Sequence, residues 1–177
     1  MSELGFIHGE LDIKIFILFI LRRLPSPVDP QTLLELCTRD TGVGYFDYAQ
    51  YLSELVDTGH AERTENGRYS ITEKGARNGE AGETSLPYSV RKKTAERLAP
   101  LIARMRREKL ITCSHEIAED GSCMASFALS DGKGELVSMR LLMADEAQAQ
   151  AAERLFRRGA EGVYGRIIEI LSEKQGQ

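Results

Sequence analysis

The chain contains no tryptophan, three cysteines and five prolines in 177 residues, and its longest apolar run, Ile15 to Leu21, is seven residues long. Each scarcity excludes something. Cys37, Cys113 and Cys123 form no C-x-x-C pair and leave one without a mate, which disfavours a disulfide framework and a zinc site and suits a reducing cytoplasm. Seven residues between Lys14 and Arg22 fall far short of the roughly 20 that a membrane span needs, and no small-residue cleavage site follows them. The run therefore predicts a buried helix. No H-E-x-x-H, G-x-S-x-G, Walker loop or G-x-G-x-x-G occurs, so the sequence predicts neither an enzyme nor a cofactor or metal site. Basic charge is also in deficit: 27 acidic against 23 basic side chains give a net charge of -4, so the molecule as a whole exerts no pull on nucleic acid or anionic lipid.

An ordinary soluble composition remains, 42% hydrophobic and 28% charged, with apolar residues enough for a core. Its charge is unevenly spread. Residues 1–80 hold 8 basic and 13 acidic side chains, residues 81–109 hold 8 and 3, and residues 110–177 hold 7 and 11. This divides the chain into a first domain, a linker with a basic helix, and a small α+β domain. In the first, Leu11 to Leu24 is apolar nearly all round, and Pro25 and Pro27 end it. Asp29-Pro30 caps a short second helix through about Cys37, and a third helix runs from Tyr45 to Thr58 and stops at Gly59. Two strands follow, joined at Asn66-Gly67 as a two-residue hairpin. Asn78 to Ser85, rich in Gly, Ser and Glu, reads as a connector, and Pro100 is expected to kink or split the basic helix behind it.

The last segment alternates with period two. Ile111, Cys113, His115 and Ile117, then Cys123, Ala125, Phe127 and Leu129, then Val137, Met139, Leu141 and Met143 predict a three-stranded antiparallel sheet with one buried face. Matching the faces pairs Ile117 with Cys123 and Cys113 with Phe127, leaving Glu119-Asp120-Gly121 as a three-residue loop. Gly132-Lys133-Gly134 fits a turn better than a phosphate cradle, because no helix start follows it. Asp145 and Gln148 form a capping box for a helix to about Arg158, Gly159 breaks it, and a last helix carries Val163, Tyr164, Ile167, Ile170 and Leu171. His115 reads as a satisfied core histidine.

The stretch from Leu52 to Gly75, with its leucine-bearing helix ending at a glycine, arginine-bearing strand and Tyr69-Ser-Ile-Thr72 closing strand, resembles the third helix and wing of bacterial winged-helix regulators. Over nearly all its length the chain resembles the uncharacterised bacterial family of domain of unknown function 4364, through Gly5-Phe-Ile-His8, Tyr45-Phe-Asp-Tyr48, the wing, Glu83 to Arg91, and Ser130-Asp131 with Gly134-Glu135-Leu136. The resemblance implies an α+β fold: an N-terminal winged helix-turn-helix of three helices and a hairpin wing, a basic linker helix, and a C-terminal three-stranded antiparallel sheet with two helices. It also implies a cytoplasmic transcriptional regulator.

A helix that reads DNA presents cationic and amide side chains outward. Helical phasing with Tyr45, Ala49, Leu52, Leu55 and Val56 on the core side leaves Asp47, Gln50, Tyr51, Glu54 and Asp57 opposite, an acidic face. Phosphate contacts must then come from Arg39, Arg63, Arg68, Lys74, Arg77, Arg91, Lys92 and Lys93, doubled in a homodimer, with Gln50 and Tyr51 on the helix between them. The apolar excess of the first helix is the ground for expecting that dimer. An alternative of another class is an adaptor whose acidic third-helix face docks a basic protein and binds no DNA. A small-molecule effector is left open, and no membrane association is expected.

Overall fold

Eight of the nine residues from Ile13 to Leu21 are buried, which places the first helix at the centre of its unit rather than on its surface. The computed structural model describes Ile7 and residues 9–172; Gly5, Phe6 and His8 lie outside the described residues. It is a mixed helix-and-sheet protein, and by contacts the chain divides into two compact units, residues 1–105 and 106–177. Among the described residues no helix is long and apolar enough to cross a membrane.

The first unit runs α1 (Glu10–Arg23), α2 (Pro30–Thr38), α3 (Tyr45–Asp57), β1 (Ala61–Arg63), β2 (Tyr69–Ile71) and α4 (Glu73–Gly82), and takes in most of α5 (Tyr88–Leu110). The ends of these elements follow local chemistry. The Asp29 carboxylate accepts from the Thr32 N–H at 2.9 Å with Pro30 in the first helical turn, and the Thr72 hydroxyl accepts from the Gly75 N–H at 3.0 Å to open α4. Gly59 takes the left-handed conformation that ends α3. The hairpin differs from the two-residue turn expected of Asn66-Gly67. Thr64 N–H bonds to the Arg68 carbonyl, Gly67 N–H to the Thr64 carbonyl, and Gly67 alone has positive φ, which makes a three-residue loop. An isolated antiparallel bridge, Val28 to Tyr69, ties the α1–α2 connection to β2.

Two segments do more than the sequence reading gave them. Residues 78–82 are the second half of α4, not a connector. α4 approaches α1 closely enough that a Cβ on Gly79 would lie 3.0 Å from the Leu18 Cβ, and one on Gly75 would lie 1.9 Å from the His60 carbonyl oxygen. The segment expected to act as a linker also contributes core: Val90, Thr94, Leu98 and Met105 form a buried stripe on α5, with Leu101 and Ile102 packed against it. α5 stays helical through Pro100, because the stripe anchors it on both sides of the proline. From Ile13 to Leu21 the first helix is thus covered by its own chain, while Leu11 near its start is 68% exposed.

The second unit holds β3 (Ile111–Ile117), β4 (Cys123–Ser130), β5 (Glu135–Met143) and α6 (Glu146–Ser172), with strand order β3-β4-β5. Ile117 pairs with Cys123 and Cys113 with Phe127; an Ala118 N–H to Ser122 carbonyl bond leaves the loop of three residues, with Gly121 at positive φ. One face of the sheet packs Ile111, Cys123, Ala125, Phe127 and Leu129 against Ala149, Phe156 and Ala160 of α6. The Gln148 N–H donates to Asp145, while the Gln148 side chain reaches back to the Ala144 N–H. The two expected helices meet at Gly159, whose non-helical backbone breaks α6 into two segments as expected.

The glycines of α4 set a stability prediction. Gly75→Ala is expected to lower unfolding free energy by at least about 2 kcal/mol, because backbone must move to admit the methyl. Gly165→Ala, at a helical position with nothing within 4 Å, is expected to raise it by up to about 1 kcal/mol. Urea midpoints of the two variants check the contrast; equal shifts would refute the close approach.

Candidate nucleic-acid interface

The inner face of α3 is Tyr48, Leu52 and Leu55, not the Tyr45–Ala49 line expected from the sequence. Two apolar stripes overlap on this helix, and contact with α1 selects the one that begins at Tyr48. Tyr51, expected to face outward, is half-buried with the Lys14 ammonium 5.4 Å from its ring centre. The same ammonium bonds Glu54 at 2.6 Å, and that bond, with one from Gln50, holds the Glu54 carboxyl below the usual range. The acidic face is therefore smaller than expected. The outward surface of α3 consists of Tyr45, Phe46, Ala49, Gln50 and Ser53, with Asp47 and Asp57 towards its two ends.

That surface borders a groove of about 450 Å³ lined from α2 by Pro30, Gln31 and Leu34, from α3 by Tyr45, Ala49 and Ser53, and from the hairpin by Arg63 and Tyr69. The Arg63 guanidinium lies 6.0 Å from the Tyr69 ring centre. Arg68, across the turn, contributes to holding the Asp29 carboxyl below its usual range, after the Thr32 N–H bonds that dominate there. The exposed Gln50 amide donates to Glu54 at 3.0 Å. Thus α2, α3 and the hairpin bring Gln31, Ser53 and Arg63 to one groove, while Gln50 stands on the exposed part of α3 bonded to Glu54. Glu62 and Glu65 are exposed on the same hairpin, and Glu62 accepts from Ser70 at 2.8 Å.

The other predicted cations go elsewhere. Lys74 donates to the Thr58 carbonyl at the end of α3, and Arg77 lies 3.9 Å from Glu73. Arg39 follows the C-terminus of α2, where its own carbonyl accepts from Arg97 at 2.6 Å, so a cation meets the negative end of the helix. Lys93 lines a second hollow near that end, with Asp40, Thr41 and Glu96, and Lys92 beside it is exposed. Arg91 serves structure: with Arg22 and Arg23 it surrounds Glu83. Burial alone would push the Glu83 carboxyl up, but Arg23 and Arg22 outweigh it and hold it below the usual range. The sequence reading missed Gln31, Tyr45, Phe46 and Ser53; the signal available was the Tyr48-Leu52-Leu55 spacing, as regular as the one used.

The family model described as Domain of unknown function (DUF4364) matches residues 13–171. The chain belongs to that family. No curated protein and no solved structure matches it. The DUF4364 match spans both units and every residue of the groove.

Other chemistry is thin. Among the described residues no cluster of three or more His, Cys, Asp or Glu side chains is placed to hold a metal ion. Cys37 is fully buried, and burial pushes its thiol up, the reverse of a reactive cysteine. The Asp131 carboxylate accepts from the Lys133 and Gly134 N–H groups, so those amides close a turn and do not cradle an anion. The His115 Nδ1–H donates to the Glu153 carboxylate at 2.7 Å, as a satisfied histidine should.

The two described histidines are set in opposite directions. The Glu153 contact raises His115, whereas burial first, then Lys74 and Lys14, lowers His60. The His115 contribution to stability is present below about pH 6.5 and fades as pH rises through its folded value. That of His60 is present above about pH 6.5 and fades as pH falls through its folded value. Imidazole proton resonances are expected to titrate above the usual value for His115 and below it for His60, with Glu153→Gln bringing His115 down. A His115 midpoint at or below that of His60 would remove the ion pair.

Proposed function

We propose that this DUF4364 protein is a DNA-binding transcriptional regulator of the winged-helix type, acting as a homodimer. The observation that carries the reading is the Val28–Tyr69 bridge together with the order α1–α2–α3–β1–β2. A short strand between the first two helices, paired with the second strand of a terminal hairpin, is the winged-helix arrangement. In it, α3 enters the major groove and the hairpin lies against phosphates. The resemblance of Leu52 to Gly75 supports the same reading.

The outward chemistry of α3 supplies a specificity. Gln50 matches the N6 and N7 edge of adenine, Ala49 and Phe46 match the thymine methyl, and Ser53 accepts or donates to either. No side chain on that surface is suited to guanine, whose usual partner is arginine. The reading therefore favours A·T pairs at the contacted positions. Arg63 and Arg68 make phosphate contacts that carry no sequence information. Gln50 must leave Glu54 to reach a base.

Enrichment of a randomised duplex library by the full chain at near-physiological salt tests this. A two-fold symmetric, A·T-rich motif is expected. Arg63→Ala and Arg68→Ala should each weaken binding on every sequence and reduce the salt slope by about 1. Gln50→Ala should cost about 1–3 kcal/mol of discrimination at a single position. Retention of no motif would end the regulator reading.

One observation favours the adaptor reading. Tyr45 and Phe46 meet edge to face at 5.6 Å while 60% and 85% exposed, an aromatic pair of the kind that anchors protein interfaces. Its acidic basis has narrowed, since Glu54 is taken up by Lys14. A stoichiometric protein partner lost on Phe46→Ala, with no duplex enriched, would select it.

A further inference from the structure

We infer that two copies of this chain pair through the outer edge of β5, strand against strand in antiparallel register about a two-fold axis at Met139, joining two three-stranded sheets into one of six. The inference rests on the homodimeric reading above and names its surface.

The two edges of the sheet are treated differently. The ladder phase fixed by the Ala118 N–H to Ser122 carbonyl bond turns the Cys113 carbonyl to the outer edge of β3. There Arg157 of α6 donates to it at 3.1 Å. The same alternation turns the N–H and C=O groups of Ser138, Arg140 and Leu142 to the outer edge of β5, up to the irregularity at Leu136, where Ser130 pairs with Glu135. Among the described residues no side chain is bonded to them. β5 is nine residues long with neither proline nor lysine, and its edge devices are limited to Arg140, Glu135 and one irregularity near its start. Leu142 is 69% exposed on it. Beside this edge an apolar groove of about 320 Å³ opens between the sheet and α6, lined by Met139, Leu141, Leu155 and Val163 among others.

Side-chain pattern selects the partner and the register. About Met139 the apolar positions mirror one another, Leu136 and Val137 before it and Leu141 and Leu142 after it, with Ser138 opposite Arg140. Pairing centred there sets Leu136 against Leu142 of the second copy, Val137 against Leu141, and Ser138 against Arg140. From 136 to 142 every apolar residue meets an apolar one on both faces, and at the ends of the strand Glu135 faces Met143. Centring on Ser138 would instead oppose Leu136 to Arg140 and Glu135 to Leu141, and centring on Arg140 would oppose two guanidiniums. Charge therefore excludes the neighbouring registers. Such a contact is isologous and closes as a dimer. A nine-residue strand is about 30 Å long and a sheet with one helix layer about 20 Å thick, so the flank presents about 600 Å² before side-chain relief, close to the roughly 800 Å² per partner of a stable interface.

Sedimentation of the full chain at micromolar concentration, with and without substitutions, tests the surface. A dimer is expected, reduced to a monomer of unchanged circular dichroism by Leu141→Arg and by Leu142→Arg. Residues facing each other across the axis have Cα atoms about 4.5 Å apart, within disulfide range. Mild oxidation should therefore link Met139→Cys to its own copy, with the linked peptide identified by mass spectrometry, and leave Glu135→Cys unlinked. A monomeric wild type overturns the inference. So does a dimer that survives both arginine substitutions and does not link at 139. The regulator reading fails separately: a dimer linked through Met139 that enriches no duplex keeps this surface and removes DNA, whereas a duplex motif retained by a dimeric Leu141→Arg variant does the reverse.

Discussion

The first unit depends on one constraint, the burial of α1 on all sides. Ile13, Ile15, Phe16, Ile17, Leu18, Phe19, Ile20 and Leu21 are all out of water, each worth about 1.5–3 kcal/mol when fully covered. A helix with no solvent face needs neighbours all round it, and α2, α3, β2, α4 and the turn at Glu83–Ser85 supply them. The need for cover accounts for features that look unrelated in the sequence. α4 carries glycine where it meets Leu18 and Ile15, because a side chain there would hold the helices apart. The cations at the end of α1, Arg22 and Arg23, converge on Glu83, so that charge removed from water keeps a partner. Lys14, the one polar residue inside the buried run, opens towards α3 and bonds Glu54.

That last contact joins the core to the candidate interface. By engaging Glu54 and lying over Tyr51, Lys14 fixes which side of α3 faces out and removes a carboxylate from it. The surface left is amide, hydroxyl, methyl and aromatic at its middle, with the carboxylates of Asp47 and Asp57 towards its ends. A change of one helical phase thus converts a face that would repel phosphate into one whose groups match an A·T edge. The chemistry of the groove is a consequence of how α1 is packed, and substitutions at Lys14 would be felt there although it is not part of the groove.

Legibility in the sequence followed the number of arrangements each pattern allowed. β3 and β4 have one buried face and a period of two, so a slip of one residue would expose the whole apolar set; the register could be read from Ile117 and Cys123 alone. The caps at Asp29 and Asp145 were legible because they are local. α3 was not, since Tyr45-Ala49-Leu52 and Tyr48-Leu52-Leu55 are both helical stripes and only contact with α1 distinguishes them. α5 was legible in part: its apolar positions Val90, Leu98, Leu101, Ile102 and Met105 stand in the sequence, but the pattern does not report which unit they pack into. The glycines of α4 read as a flexible connector because composition does not report the distance to a neighbouring helix.

The closure of α1 within its own unit also moves the ground for dimerisation. Apolar excess in the run Ile13 to Leu21 needs no partner once α2, α3, β2 and α4 cover it, whereas β5 keeps an open edge and an uncovered flank. Electrostatics makes this bear on function. One hairpin offers Arg63 and Arg68 beside Glu62 and Glu65, on a chain of net charge -4, too little for affinity that rests on phosphate neutralisation. Two linked copies double the contacts, and the second engages at the effective concentration set by the first, which multiplies affinity without any new residue. On the proposed regulator reading, a chain this acidic would need its own copy in order to hold DNA, and the open edge of β5 would belong to the binding problem as much as Gln50 does.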